Sequence, residues 1–273
     1  MKKICFPVCW VLLLAGLLNQ PVFAQPQSSG MWKIDRKASH EGLSSPVGMA
    51  YDVGGNLYVA NWSAGTVVRF APKGELTVFA SGLSGPSGLT VSAKGDVYVA
   101  SYNEDLVWRF TQNGDKTVFV RGLATPAGLS FDARGRLLIA NRRTHQILAA
   151  SPDGTIEIVA EGLQTPVGAV ELANGDLLVS NIAGGISLVS GGKMARTINT
   201  ELGSPGPGIV AAGTDTAYVV DYGGTTVSRV DRQGVRTVIA DGLSSPVGLA
   251  VAPDGSLMVA TWGANAVFQI RRQ

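Results

Sequence analysis

The chain has 273 residues, 22 Lys and Arg against 20 Asp and Glu, and a formal net charge of +2 that Lys2 and Lys3 alone supply. Beyond those two lysines it is neutral, so no basic surface marks it for nucleic acid. Both cysteines, Cys5 and Cys9, lie close to the N-terminus, and the rest of the chain has no disulfide framework, thiolate nucleophile or cysteine metal site.

Residues 1–24 read as a signal peptide. Lys2 and Lys3 make a positive start, positions 8–18 are apolar but too short to span a bilayer comfortably, and Val22-Phe23-Ala24 offers a cleavage site after Ala24. No cysteine lies beyond that site to carry a lipid. Positions 25–273 are then the mature domain, ample for one large β domain with a buried core. No later apolar run approaches a membrane span, so we expect no membrane insertion of the mature chain and a periplasmic or secreted location.

From Gly42 onward a motif recurs. Gly42-Leu43-Ser44-Ser45-Pro46-Val47-Gly48 returns at 82–88, 122–128, 162–168 and 242–248, with a degraded copy at 202–208. The closing glycines, Gly48, Gly88, Gly128, Gly168, Gly208 and Gly248, keep a register of 40 residues. A period of this size marks a solenoid or a propeller. We expect the Pro and Gly of each copy to build the turn into a strand.

Within each period four apolar runs alternate with turns. After Gly48 comes a first run, then the turn Gly54-Gly55-Asn56, whose glycine supplies the positive φ of a tight hairpin. The second run, 57–60 and its counterparts at 97–100, 137–140, 177–180, 217–220 and 257–260, is apolar on both parities. That pattern fits a strand covered on both faces. A third run and a glycine turn such as Gly74 lead to a fourth run and back to the motif. Four short antiparallel strands per period, six times over, predict an all-β six-bladed β-propeller. The last period stops one strand short at its C-terminal end, and segment 32–37 is placed to supply the missing strand and close the ring, which removes exposed sheet edges.

Chain geometry puts the motif connections and the loops after the second strands on one face. There stand two series in the 40-residue register: Asn61, Ser101, Asn141, Asn181, Asp221 and Thr261, each followed by Trp62, Tyr102, Arg142, Ile182, Tyr222 or Trp262. Two readings fit the polar series. Such residues bond local backbone groups at strand ends; equally, Asn61, Asn141, Asn181 and Asp221 are oxygen donors for a ring at the channel mouth. No cofactor is required, but that ring leaves room for calcium or another divalent ion, with Asp221 its one carboxylate. The aromatics Trp62, Tyr102, Tyr222 and Trp262 fall on blades that are consecutive in a closed ring and form a crescent, with Arg142 opposite. Aromatics with polar tips suit contact with a protein, a peptide or a small ligand; they also pack blade ends. His40 and His145 read as surface residues, and Glu171, the charged member of its inner-strand register, as a channel-lining group.

The runs Pro-x-Gly-Leu, Gly-Asn-Leu-Tyr-Val-Ala-Asn and Val-x-Arg-Phe, over 46–70 and 86–110, resemble the NHL repeat. The resemblance implies a six-bladed propeller of a kind that includes interaction modules and lyases. The inner-strand starts also resemble the senescence-marker/gluconolactonase group, which places Asn or Asp between Pro and Gly of some repeats as ligands to a divalent ion, with a Glu before another such Pro. Here the intervening residues are Val47, Ser87, Ala127, Val167 and Val247, and the residues before Pro are Ser45, Gly85, Thr125, Thr165, Ser204 and Ser245. Virginiamycin B lyase and amidating-lyase propellers, similar in architecture, depend on histidines. The expectation is therefore recognition through the loop face without chemistry. The alternative is a metal-dependent gluconolactonase-like hydrolase or a streptogramin-lyase-like lyase, with a non-standard site around Asn141, Asn181 and Asp221.

Overall fold

A computed structural model describes residues 32–273; the signal peptide expected at 1–24 lies outside the described residues. Six four-stranded antiparallel sheets succeed one another around a closed ring. The inner strands are Pro46–Tyr51, Pro86–Val91, Pro126–Phe131, Pro166–Glu171, Pro205–Ala211 and Pro246–Val251. The second strands are Leu57–Asn61, Val97–Ser101, Leu137–Asn141, Leu177–Asn181, Thr216–Asp221 and Leu257–Thr261. Each blade continues into a third strand, as at Thr66–Phe70, and five blades end in an outer strand from their own repeat, as at Leu76–Ala80.

The sixth blade borrows its outer strand from the other end of the chain. Trp32–Ile34 pairs antiparallel with Ala266–Arg272, in the register Trp32 with Arg272 and Ile34 with Ile270. The contact extends beyond the strand, because Ser39 donates its N–H to Val267 O (2.8 Å) and Val267 returns one to His40 O (2.9 Å). Trp32 sets its edge against Tyr218 of the fifth blade, 5.5 Å between ring centroids, so the closing strand is packed as well as paired. No helix among the described residues is long and apolar enough to cross a membrane.

The core is six wedges rather than one centre. Each seam between neighbouring blades holds its own apolar cluster, from Tyr58, Ala60 and Val67 against Leu89, Val97 and Val99 in the first seam to Met49, Val59 and Phe70 against Ala250, Met258 and Val267 in the last. A sheet flanked by two such wedges must be apolar on both faces, which is why the second strands show no polar alternation. The motif leucines Leu43, Leu83, Leu123, Leu163, Leu202 and Leu243 each plug one seam. Burying one such side chain stabilises the fold by about 1.5–3 kcal/mol.

The closing glycines of the motif do not form the turn that the repeat pattern predicts. They lie within or beside inner strands, and none has positive φ. A Cβ on any of the six would sit closer than 3.0 Å to the backbone of the next blade. Glycine is present because neighbouring inner strands approach each other along the axis. Proline opens each inner strand, as expected.

Candidate functional site

The residue before each motif proline is the hinge of the loop face. Ser45 has φ 51, Thr125 50, Thr165 60 and Ser245 50. This left-handed geometry aims each carbonyl at the N–H of the residue just past the second strand. Trp62 N–H donates to Ser45 O (3.1 Å), Tyr102 to Gly85 O (3.0 Å), Arg142 to Thr125 O (3.3 Å), Ile182 to Thr165 O (3.1 Å) and Trp262 to Ser245 O (3.0 Å). The same backbone contact recurs in five of the six blades, and in the fifth Gly223 N–H, one residue later, donates to Ser204 O (3.2 Å).

The side chains just past the second strands wall a bowl of about 380 Å³ at the mouth of the central channel. Its rim and walls are Trp62, Tyr102, Arg142, Ile182, Tyr222 and Trp262. Its floor is Val47, Ser87, Ala127, Val167, Pro207 and Val247, the residue between Pro and Gly in each motif copy and its equivalent in the degraded copy. Each blade thus contributes one wall residue and one floor residue. The floor series occupies the positions where the gluconolactonase resemblance would put metal ligands, and its mostly apolar side chains line the bowl instead.

The aromatics form two edge-to-face pairs, Trp62 with Tyr102 (5.0 Å, 66°) and Tyr222 with Trp262 (5.4 Å, 81°). All four stay half-buried and line the bowl, so packing between blade ends and access to the cavity coexist. Trp262 donates its indole N–H to Pro46 O (3.0 Å), which locks the last blade's wall onto the first blade. The Ser87 hydroxyl is held by Pro126 O (2.9 Å), leaving the floor without a free polar group of its own.

The structure does not bring the polar series to the mouth. Asn61, Asn141, Asn181 and Asp221 are buried, and none lines the bowl. Their side-chain oxygens accept backbone N–H groups of the motif loop in their own blade: Asn61 from Ser44 (3.1 Å), Asn141 from Ala124 (2.7 Å), Asn181 from Gln164 (3.1 Å) and Asp221 from Ser204 (2.9 Å). Ser101 donates its hydroxyl to Ser84 O (2.9 Å). The oxygen-donor ring is replaced by loop clamps, because buried loop N–H groups must find acceptors. Among the described residues no three His, Cys, Asp or Glu side chains gather at one place. The donor set does not fit a hard divalent ion, which takes several oxygens including carboxylates.

Two smaller expectations are corrected. Glu171 accepts the N–H of Ala133 in the neighbouring blade and borders a charged cleft with Asp132, Arg136 and Lys193, away from the channel. His40 is half-buried with its ring on Phe70 (4.2 Å between centroids), and burial lowers its pKa. His145 is exposed as expected, and its Nδ1 accepts the N–H of Thr165 in the next blade (3.1 Å).

One charged side chain enters the bowl. Arg142, on a single 3-10 turn (Arg142–Thr144), donates through Nη1 to the hydroxyl of Tyr102. Its Nε is buried and has no hydrogen-bond partner. Among the described residues Arg142 forms no salt bridge, whereas its neighbour Arg143 pairs with Asp105 (3.2 Å).

No protein-family model matches the chain, and no curated protein matches it in sequence. Solved structures match in fold. A gluconolactonase from Xanthomonas campestris is 15% identical with a TM-score of 0.77, over 86% of this chain and 89% of that one. Virginiamycin B lyase from Staphylococcus aureus is 16% identical with a TM-score of 0.66, over 86% of this chain and 81% of that one. An aldose sugar dehydrogenase from Streptomyces coelicolor, solved with PQQ bound, is 16% identical with a TM-score of 0.70, over 91% and 99%. At these identities the shared property is the six-bladed propeller, a scaffold that carries several chemistries.

Proposed function

We propose that this protein is an exported binding propeller that takes a small apolar or aromatic ligand in its loop-face bowl and performs no chemistry on it. The observation that carries the reading is the composition of the bowl: aliphatic floor, aromatic walls, one arginine, and no carboxylate, imidazole or thiol among its lining residues. A concave, mostly apolar cavity with a few polar groups is the usual form of a small-ligand site, and its volume lies at the small end of that range. General acid–base or nucleophilic work most often falls to carboxylates, imidazoles and thiols, and of the other titratable types the bowl holds the phenols of Tyr102 and Tyr222 and the guanidinium of Arg142. A location outside the cytoplasm rests on the signal peptide expected at 1–24.

A metal-assisted hydrolase or lyase is the second reading, favoured by the enzymes among the structural neighbours. Against it stand the loop-clamping roles of Asn141, Asn181 and Asp221. Calorimetric titration of the mature protein with 2-naphthamide, a neutral aromatic probe, tests the binding reading. Saturable one-site binding that weakens on Trp62→Ala and on Trp262→Ala, in variants that still unfold cooperatively, is expected. Unchanged binding in both variants would take the bowl out of the reading. Elemental analysis tests the rival, since a stoichiometric divalent ion lost on Asp221→Ala would overturn our proposal.

A further inference from the structure

Resting on that reading of the bowl, we infer that its ligand is a small aromatic or apolar monoanion, a carboxylate, whose charge is met by Arg142. A guanidinium remains protonated throughout the physiological range. Removing it partly from water without a counter-charge costs free energy, so an unpaired cation in an apolar wall calls for an explanation. Here its Nε is buried without an acceptor, and among the described residues Arg142 enters no salt bridge.

Nor do the surroundings neutralise the charge. The Tyr102 hydroxyl accepts only one N–H, and the guanidinium carbon lies 5.8 Å from the centre of that ring, at the outer limit of useful cation–π attraction. The other eleven lining residues are aliphatic, aromatic, proline or the engaged Ser87. A ligand that fills the bowl therefore meets mostly apolar surface, with the neutral polar tips of Trp62 and Tyr222 and a single charge, Arg142. That charged group is donor-only, with no acceptor capacity of its own. Carboxylate is the complementary group, because an arginine edge binds it with two charge-assisted hydrogen bonds. The bound anion supplies the counter-charge, and turning the guanidinium toward it gives Nε its acceptor.

The position of Arg142 also sets the orientation of the ligand. Blade 3 lies across the ring from blade 6, so a carboxylate held at Arg142 directs the apolar body toward the Trp262 wall.

The test compares 2-naphthoate with 2-naphthamide, alike in shape and differing in charge, by calorimetry on the mature protein and on Arg142→Met. Wild type is expected to bind naphthoate at least about tenfold more tightly than naphthamide. Arg142→Met is expected to bring the two ligands within about threefold of each other, whatever it does to naphthamide affinity itself. Equal binding of both probes by wild type would overturn the inference while leaving the bowl as a binding site. A preference for naphthoate that persists in folded Arg142→Met would also overturn it, by placing the anion elsewhere. Failure of both probes to bind would remove the binding reading and this inference together. The wild-type comparison decides even where the variant does not fold.

Discussion

The side chain of Asn265, in the last blade, accepts the backbone N–H of Ser45, in the first, across 2.8 Å of space and 220 residues of sequence. Both residues hold left-handed backbone, φ 50 and 51. The arrangement repeats: Asp105 takes the N–H of Thr125 (2.6 Å) and His145 that of Thr165 (3.1 Å), each pair joining one blade to the next and each residue at positive φ. Where the first blade meets the second, Gly65 and Gly85 occupy the two positions, at φ 62 each. There glycine takes both left-handed positions without a side-chain penalty, whereas Ser245, where the fifth blade meets the sixth, keeps φ 50 opposite Thr225.

Asn265→Ala removes the acceptor and leaves a Cβ at positive φ, and should lower unfolding free energy by about 1–3 kcal/mol. Asn265→Gly removes the acceptor but relieves the backbone, and should fall between wild type and the alanine variant. Chemical denaturation measures both. Equal loss in the two variants would show that the backbone carries no strain.

Gly248→Ala sets a methyl group against the Val47 carbonyl on the far side of the ring closure. Because that neighbour is backbone, the inner strands must shift, and a destabilisation of about 1–3 kcal/mol is expected. Gly255→Ala, where a Cβ meets nothing within 4 Å, separates crowding from positive φ, since Gly255 has φ 81 and Gly248 does not. Thermal unfolding of the pair reads out the difference.

Loss of the closing strand should cost more than a terminal trim. A chain beginning at Glu41 lacks the Trp32–Ile34 pairing and the Trp32 contact with Tyr218, and exposes the edge of Ala266–Arg272. A marked drop in melting temperature and concentration-dependent association are expected. Scattering and calorimetry together check this, and an unchanged transition in a monomeric protein would contradict it.

The histidine at the same closure makes stability depend on pH. Burial lowers the pKa of His40 below its ordinary 6.5, so the unfolded chain binds the proton more readily. Its contribution is present above about pH 6.5 and is lost as pH falls toward the folded value. His40→Gln should flatten the decline in melting temperature between about pH 7 and 5.5. A decline as steep as in wild type would assign the effect to other groups.

Much of the molecule is readable in the repeat register, because a propeller asks the same thing of equivalent positions. Register alone predicts the four-strand blades, the closing strand at Trp32 and the inward series from Trp62 to Trp262. What it leaves open depends on side-chain direction and on contacts between repeats. An asparagine that clamps its own loop and one that holds a ligand have the same sequence signature, so Asn61, Asn141 and Asn181 are sorted only by the N–H groups they meet. Gly48 has the sequence context of a turn residue, and only its spatial neighbour, Leu89 in the next repeat, reveals the close approach. The unpaired Nε of Arg142, beside an Arg143 that does find a carboxylate in Asp105, 38 positions away, is likewise visible only in the folded chain.

The motif divides its labour among adjacent positions. Leucine fills a seam and glycine lets the inner strands meet, while the residue between proline and glycine faces the bowl. Valine, serine, alanine and proline all occur at that last position within this one chain, on the same backbone path. A new specificity therefore needs no new architecture. Six independently exchangeable tiles pave one floor, and single replacements among them can retune what the bowl accepts while the ring that carries them stays intact.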